Sequence, residues 1–163
     1  MEHHSWSGRI DYVHDDRGER GREWFTVSTH NDGHRVVRAI CEMDDSEILR
    51  DVTYSMNGFT PEEAYIRIVI KGQHEGSGWF TFEENQARCE AMINGGGRVS
   101  QVMKTPRRAA SFGAHPVLCD CLHASLYDLK KGGRQKMTNI LNSSHRSEEH
   151  TSELQSHSFI SYA

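Results

Sequence analysis

Short strand-forming segments, separated by turn residues, repeat through most of this chain. Between Gly8 and Lys104 they recur about every 10 to 14 positions, with Gly, Asp, Asn or Pro between them. The triplet Asn31-Asp32-Gly33 is a strong hairpin signal, because all three residue types tolerate positive φ. This spacing is typical of an antiparallel meander. The predicted strands cover 9–14, 23–29, 35–43, 48–56, 64–71, 78–83, 87–93 and 98–104.

Residues within these segments alternate between the two faces of the sheet. In the third segment, Val37, Ala39 and Cys41 lie on one face, whereas Arg38 and Glu42 lie on the other. Neighbouring segments likewise combine an apolar face with one that carries Arg, Tyr, Trp and Thr. Two structures fit this pattern: a sheet closed around a partly polar cavity, and a sheet with one face in water.

A helical pattern follows the last predicted strand. Pro116 suits a first helical turn, and His115 before it would be the N-cap. Leucines then recur at helical spacing, at Leu118, Leu122, Leu126 and Leu129. Two lysines lie where the last turn would be, and two glycines follow them. The sequence therefore predicts one amphipathic helix over 116–131.

Five potential metal ligands fall within this predicted helix or at its start. They are His115, Cys119, Asp120, Cys121 and His123. Three of them, each four residues apart, would project from one helix face, which could present a zinc site or a Cys-His nucleophile. Structural zinc sites usually take a second ligand pair from another segment, and none is evident upstream. Ordinary packing is therefore the favoured interpretation, and we assign no metal and no cofactor.

Composition narrows the functional classes. The chain has 163 residues and a formal net charge of −4, which provides no electrostatic basis for binding nucleic acid. No apolar run is long enough for a transmembrane helix, and the N-terminal residues lack the pattern of a secretory signal. We therefore expect a cytoplasmic protein whose four cysteines are thiols.

The C-terminal residues resemble a translated sequencing adapter. Arg146 to Ser156 read RSEEHTSELQS, the three residues from His157 would span an index tag, and the last four residues match the next adapter codons. We therefore expect 146–163 to be a non-native, disordered tail. The natural protein would then be one β-rich domain over 1–145, truncated at its C-terminal end.

Four short stretches resemble the glycolipid-binding family and related lipocalin-like barrels. They read GHRVVR from Gly33, ICEM from Ile40, LRDV from Leu49 and GSGWF from Gly76. The resemblance covers roughly 33–90, about a third of the chain, and ends after Cys89. It implies a curved sheet or barrel whose lumen holds an amphipathic lipid. The fold class we predict is thus mainly β: an antiparallel meander forming a lipocalin-like barrel or a curved half-barrel, with one C-terminal amphipathic helix.

Six residues are the candidates for ligand binding. The resemblance implies Arg38, Arg50 and Trp79, and the strand alternation adds Tyr54, Tyr65 and Arg67. In such a cavity, aromatic and aliphatic walls would desolvate a ligand while an arginine binds its polar head.

Three functions fit these residues. The favoured one is non-catalytic binding of a small hydrophobic or amphipathic ligand. The first alternative is a lipocalin-like enzyme of hydratase or hydrolase type acting on isoprenoid or other apolar substrates, which would need Asp51 or Asp120 beside Tyr54. The second is a structural or interaction domain. Ligand identity and oligomeric state are left open.

Overall fold

A computed structural model of the chain describes residues 3–143 and the backbone of residues 157 and 158. Its main feature is one antiparallel sheet of eight strands, each paired with the next along the chain. The strands are β1 (His3–His14), β2 (Gly18–His30), β3 (His34–Met43), β4 (Ile48–Asn57), β5 (Thr60–Ile70), β6 (Gln73–Glu83), β7 (Gln86–Ile93) and β8 (Gly97–Lys104). The predicted mainly β meander is confirmed, and each predicted segment corresponds to one strand.

The turn between β2 and β3 shows why one strand ends and the next begins at this point of the sequence. The backbone N–H of Gly33 donates to the carbonyl of His30 at 3.0 Å, and Gly33 has φ 91. A residue with a Cβ rarely adopts this conformation. The Asp32 carboxylate also accepts the His34 backbone N–H at 3.0 Å, as is common for Asp in a turn.

The two faces of the sheet have different surroundings. One, the covered face, carries buried apolar residues from the central strands, including Val37, Val52, Tyr54 and Phe80. The other, the open face, carries side chains in contact with solvent, such as Trp79. The predicted alternation is confirmed, and the face that carries Arg38, Tyr65, Arg67 and Trp79 is the one in water.

The C-terminal part of the chain packs on the covered face. It contains β9 (Ser111–Gly113), α1 (Val117–Ala124) and β10 (Ile140–Asn142), and β11 (His157–Ser158) pairs with β10. Strands β9 and β10 are parallel, and α1 lies in the crossover that a parallel pair requires. Phe112 of β9 is 1% exposed, and its ring centroid lies 4.9 Å from those of Phe80 and Phe82. Phe112 thus occupies the centre of the core.

The predicted helix over 116–131 is wrong in its extent. Helix α1 begins at Val117 rather than Pro116, and it ends at Ala124. At its end the Ser125 hydroxyl donates to the carbonyl of Leu122 at 2.7 Å, and tight turns follow. Leucine spacing alone cannot extend the helix, because Leu129 has no apolar layer to pack against and is 86% exposed.

The sheet is open. In the part of the chain that the structure describes, β1 and β8 each pair with one neighbour, so the strands do not close into a barrel, and the arrangement is compatible with a curved half-barrel. Within the same residues, no helix has the length and apolarity to cross a membrane. The predicted adapter-derived tail, 146–163, lies outside the described residues apart from β11, and the 1–145 domain boundary stays a prediction.

Candidate functional site

An open groove of about 290 Å³ lies on the open face, across β5 to β8. Three of its residues lie side by side across the strands: Tyr65 is paired with Trp79, and Trp79 is paired with Glu90. We call it the open-face groove; the side chains around it are Tyr65, Ser77, Trp79, Glu90, Met92 and Arg98. Gly78 and Ala91 also line it, and their backbone forms its floor because the Ala91 side chain is buried on the covered face.

The walls of the groove are apolar and in contact with water. Tyr65 is 43%, Trp79 51% and Met92 55% exposed. The Trp79 indole Nε1–H donates to Glu63 at 3.3 Å, which leaves the ring faces for contact with a ligand. Aromatic side chains placed opposite each other on neighbouring strands form a ready platform for a planar apolar group.

The polar side of the groove is built on Glu90 of β7. Its carboxylate accepts bonds from the Ser100 hydroxyl at 2.6 Å and from Arg98 at 3.0 Å. These bonds, that from Ser100 first, lower the pKa of Glu90 below its ordinary value. The guanidinium of Arg98 is therefore held at the rim of the groove, although its side chain is 74% exposed.

A second charged group lies beside the groove, where Asp51 is held between Arg38 and Arg67. The Asp51 carboxylate accepts two bonds of 3.0 Å from Arg38 and one of 3.2 Å from Arg67. The bond to Asp51 raises the pKa of Arg38. Arg67 lies opposite Ser77 in the sheet, and its guanidinium is bonded to Asp51 on the other neighbouring strand, β4.

The six predicted ligand-binding residues divide between the two faces. Arg38, Tyr65, Arg67 and Trp79 lie on the open face, and the groove brings together Tyr65 and Trp79. Arg50 and Tyr54 lie on the covered face, in register with the core positions of β3. The six side chains therefore do not line one lumen, because alternate residues of a strand point to opposite faces.

The two covered-face residues make internal contacts. The Tyr54 hydroxyl lies 3.1 Å from the carbonyl of Phe112 and 3.0 Å from the thiol of Cys119, and burial raises its pKa well above the ordinary value. Burial has the opposite effect on a cation, and it lowers the pKa of Arg50, which lies opposite Cys41. Of the two acids in the enzyme alternative, Asp51 lies on the other face from Tyr54. Asp120 is exposed on α1, and its charge contributes to the raised pKa of Tyr54.

The predicted ligand cluster around α1 is dispersed. Cys119 is buried against Tyr54, His123 pairs through Nδ1 with the Ser111 hydroxyl at 2.6 Å, and Cys121 is exposed. His115 is exposed and has φ 64, outside the helix. Among residues 3–143, no group of three or more His, Cys, Asp or Glu side chains could hold a metal ion.

Sequence reasoning missed a buried carboxylate, that of Glu23 in β2. Glu23 is 0% exposed and accepts bonds from the Tyr12 hydroxyl and from the backbone N–H groups of Val117 and Leu118. Glu23, at every second position with Phe25 and Val27, shares their face of the strand. Its inward position could have been predicted from that spacing. The partners could not be found from spacing, because they lie on distant segments.

Comparison with known proteins provides no relative. No protein-family model, curated protein or solved structure matches the chain. Its function has to be inferred from its own residues.

Proposed function

We propose that this protein is a non-catalytic binding module for a small amphipathic ligand, which lies in the open-face groove. The observation that carries the proposal is the pairing of Tyr65 with Trp79 on neighbouring strands, both about half exposed at the wall of one groove. Covering such apolar surface stabilises a complex by roughly 25 cal/mol per Å² before the costs of association.

Guanidinium donors near the groove favour a ligand with an anionic head. Arg98 lines the groove beside Glu90, and Arg67 lies opposite Ser77 on β5. Each guanidinium has five N–H donors. Its bond to Glu90 or to Asp51 therefore leaves N–H groups that can donate to a carboxylate, sulfonate or phosphate. The apolar body of the ligand would then contact the two aromatic rings.

The location differs from the lumen that the resemblance to lipocalin-like proteins implies. Phe112 and the residues around it fill the space over the covered face, where Phe80 and Phe82 contact it. The ligand class is the same as in the sequence-based hypothesis, but the surface is the opposite one. For the enzyme alternative, Asp51 and Tyr54 lie on opposite faces, so Asp120 is the acid that it would have to use.

A cytoplasmic location is part of the proposal. All four cysteines, Cys41, Cys89, Cys119 and Cys121, are free thiols. Thiols persist in a reducing compartment, whereas an oxidising one favours disulfides.

The test is a fluorescence titration with 1-anilinonaphthalene-8-sulfonate, which combines a planar apolar body with one anionic group. We expect saturable binding at one site, displaced competitively by dodecanoate. Trp79→Ala should weaken binding about tenfold or more, because it removes one wall of the groove. Arg98→Gln should weaken binding less than Trp79→Ala does. The effect of Arg98→Gln should be larger at low salt than at high salt.

Trp24→Ala is the matched control. Trp24 is 39% exposed on the open face in β2, beneath Arg9 and away from the groove. Its removal should leave the affinity unchanged. Equal affinity of the Trp79→Ala variant and the unsubstituted protein, or failure of a broad lipid panel to displace the probe, would exclude the groove as the binding site.

A further inference from the structure

The segment after α1 presents an apolar side chain to water. Leu129 is 86% exposed, the highest value among the exposed large hydrophobic residues of the described chain. It lies in the turn that 128–136 form, which we call the Leu129 loop. An isolated exposed leucine is ordinary, so the surroundings of Leu129 decide its meaning.

Hydrogen bonds hold the Leu129 loop in one conformation. The Gln135 amide spans it, donating to the carbonyl of Asp128 at 2.7 Å and accepting the Asp128 backbone N–H at 3.0 Å. The Asp128 carboxylate accepts the Lys130 backbone N–H at 2.9 Å, and the Tyr127 hydroxyl donates to the carbonyl of Gly133 at 2.8 Å. The exposure of Leu129 is thus built into the turn, and a partner would meet a preorganised tip.

The same loop is strongly basic, although the whole chain carries a net charge of −4. It contains one acid, Asp128, whose carboxylate is used by backbone N–H groups of the loop. Its cations are Lys130, Lys131, Arg134 and Lys136. An exposed apolar side chain next to a run of positive charges is a combination found in segments that lie at the surface of anionic membranes.

A second basic segment is hydrogen-bonded to residues that follow the Leu129 loop. Arg107 donates to the Thr138 hydroxyl at 3.1 Å, and the Asn139 amide donates to the carbonyl of Arg107 at 3.2 Å. Lys104 and Arg108 belong to this same stretch, which contains no acid. This segment is therefore held against the residues that come shortly after the loop.

We propose that the Leu129 loop docks on the surface of an anionic phospholipid bilayer. Leu129 enters the boundary between headgroups and acyl chains, and Lys130 and Lys131 contact lipid phosphates. Nucleic acid would use the cations but not the exposed leucine. The bilayer uses both features. Because the loop and the open-face groove are on different elements, each proposal can fail alone.

The experiment is co-sedimentation of the full chain with vesicles of phosphatidylcholine containing about 30% phosphatidylserine. We expect binding that falls when salt is raised from about 0.1 M to about 1 M, and little binding to pure phosphatidylcholine. Lys130→Gln with Lys131→Gln should weaken partitioning about twenty-five-fold, at roughly fivefold for each cation. Leu129→Ser should weaken it about tenfold.

The matched control is Arg17→Gln with Lys71→Gln, which removes the same charge from two exposed turns between strands. It should leave vesicle binding nearly unchanged. The proposal is overturned if this control weakens binding as much as the loop lysines do, or if Leu129→Ser has no effect. It is also overturned if the unsubstituted chain binds single-stranded DNA through these lysines and does not sediment with the vesicles.

Discussion

Glu23 accepts a hydrogen bond of 2.8 Å from the backbone N–H of Val117, which lies 94 residues further along the chain. The carboxylate therefore stabilises the first turn of α1, whose N-cap, Pro116, makes no side-chain cap hydrogen bond. A negative charge at this end is also favoured by the helix dipole. The contact joins the N-terminal hairpin to the layer on the covered face.

Removing this carboxylate should destabilise the protein. We expect Glu23→Ala to lower the free energy of unfolding by about 3 kcal/mol, because the Tyr12 hydroxyl and two helix N–H groups lose their acceptor in the core. Glu23→Gln should cost less, since its amide keeps one oxygen. Urea unfolding provides the measurement. Glu84→Gln, in an exposed turn, is the control, and a similar loss there would contradict this role.

Phe112 should be one of the most sensitive core positions. Phe112→Ala is expected to cost about 3 to 5 kcal/mol, because it removes the ring between Phe80 and Phe82 and leaves a cavity. Phe112→Leu should cost less. Benzene should raise the melting temperature of the alanine variant and not that of the unsubstituted protein. A loss below about 1 kcal/mol would mean that the layer over the covered face is not packed as described.

His123 should make stability depend on pH. Burial lowers the pKa of His123, while Asp120 opposes the shift. The folded form thus binds a proton less readily than the unfolded chain, in which the pKa of a histidine is about 6.5. This histidine's contribution is fully present above that pH and decreases as pH falls towards the folded pKa.

Urea unfolding at about pH 8 and about pH 5 measures this dependence. The His123→Gln variant should lose part of it, and His74→Gln, at an exposed position, should retain it. An unchanged pH dependence in the His123→Gln variant would show that the Ser111 pair does not require a neutral ring.

Thiol reactivity should separate the four cysteines. Cys41, Cys89 and Cys119 are buried, and burial raises the pKa of Cys89 and Cys119 to about 12. Only Cys121 is exposed. An aromatic disulfide reagent should therefore react rapidly with one thiol in the folded protein, and Cys121→Ser should abolish that phase. Rapid reaction of a second thiol would contradict the burial of Cys41, Cys89 or Cys119.

The meander could be predicted from the sequence because its signals are local. Turn triplets such as Asn31-Asp32-Gly33 and the alternation around Val37 act over a few residues, and each strand pairs with its neighbour in the chain. The division into an apolar and a mixed face followed from the same alternation. The open-face groove was reached in part, since Tyr65 and Trp79 belong to it.

Other features depend on contacts between distant segments. The leucine spacing predicted a helix through Leu129, but the absence of packing there is a tertiary property. Met92 and Arg98 of the groove were missed, because their place depends on the register between β7 and β8. Tyr54 was predicted to contact a ligand, but its side chain is buried in the core, where segments distant in the chain cover it.

The order of the elements along the chain has a consequence for biosynthesis. All eight strands of the meander leave the ribosome before Phe112 and α1, so hairpins can form one after another while their apolar side still lacks its cover. At roughly 5 to 20 residues per second, the roughly 40 residues that complete this cover arrive within several seconds. During that interval the nascent chain exposes the apolar face of the sheet to water, and chaperones would have their best opportunity to bind it.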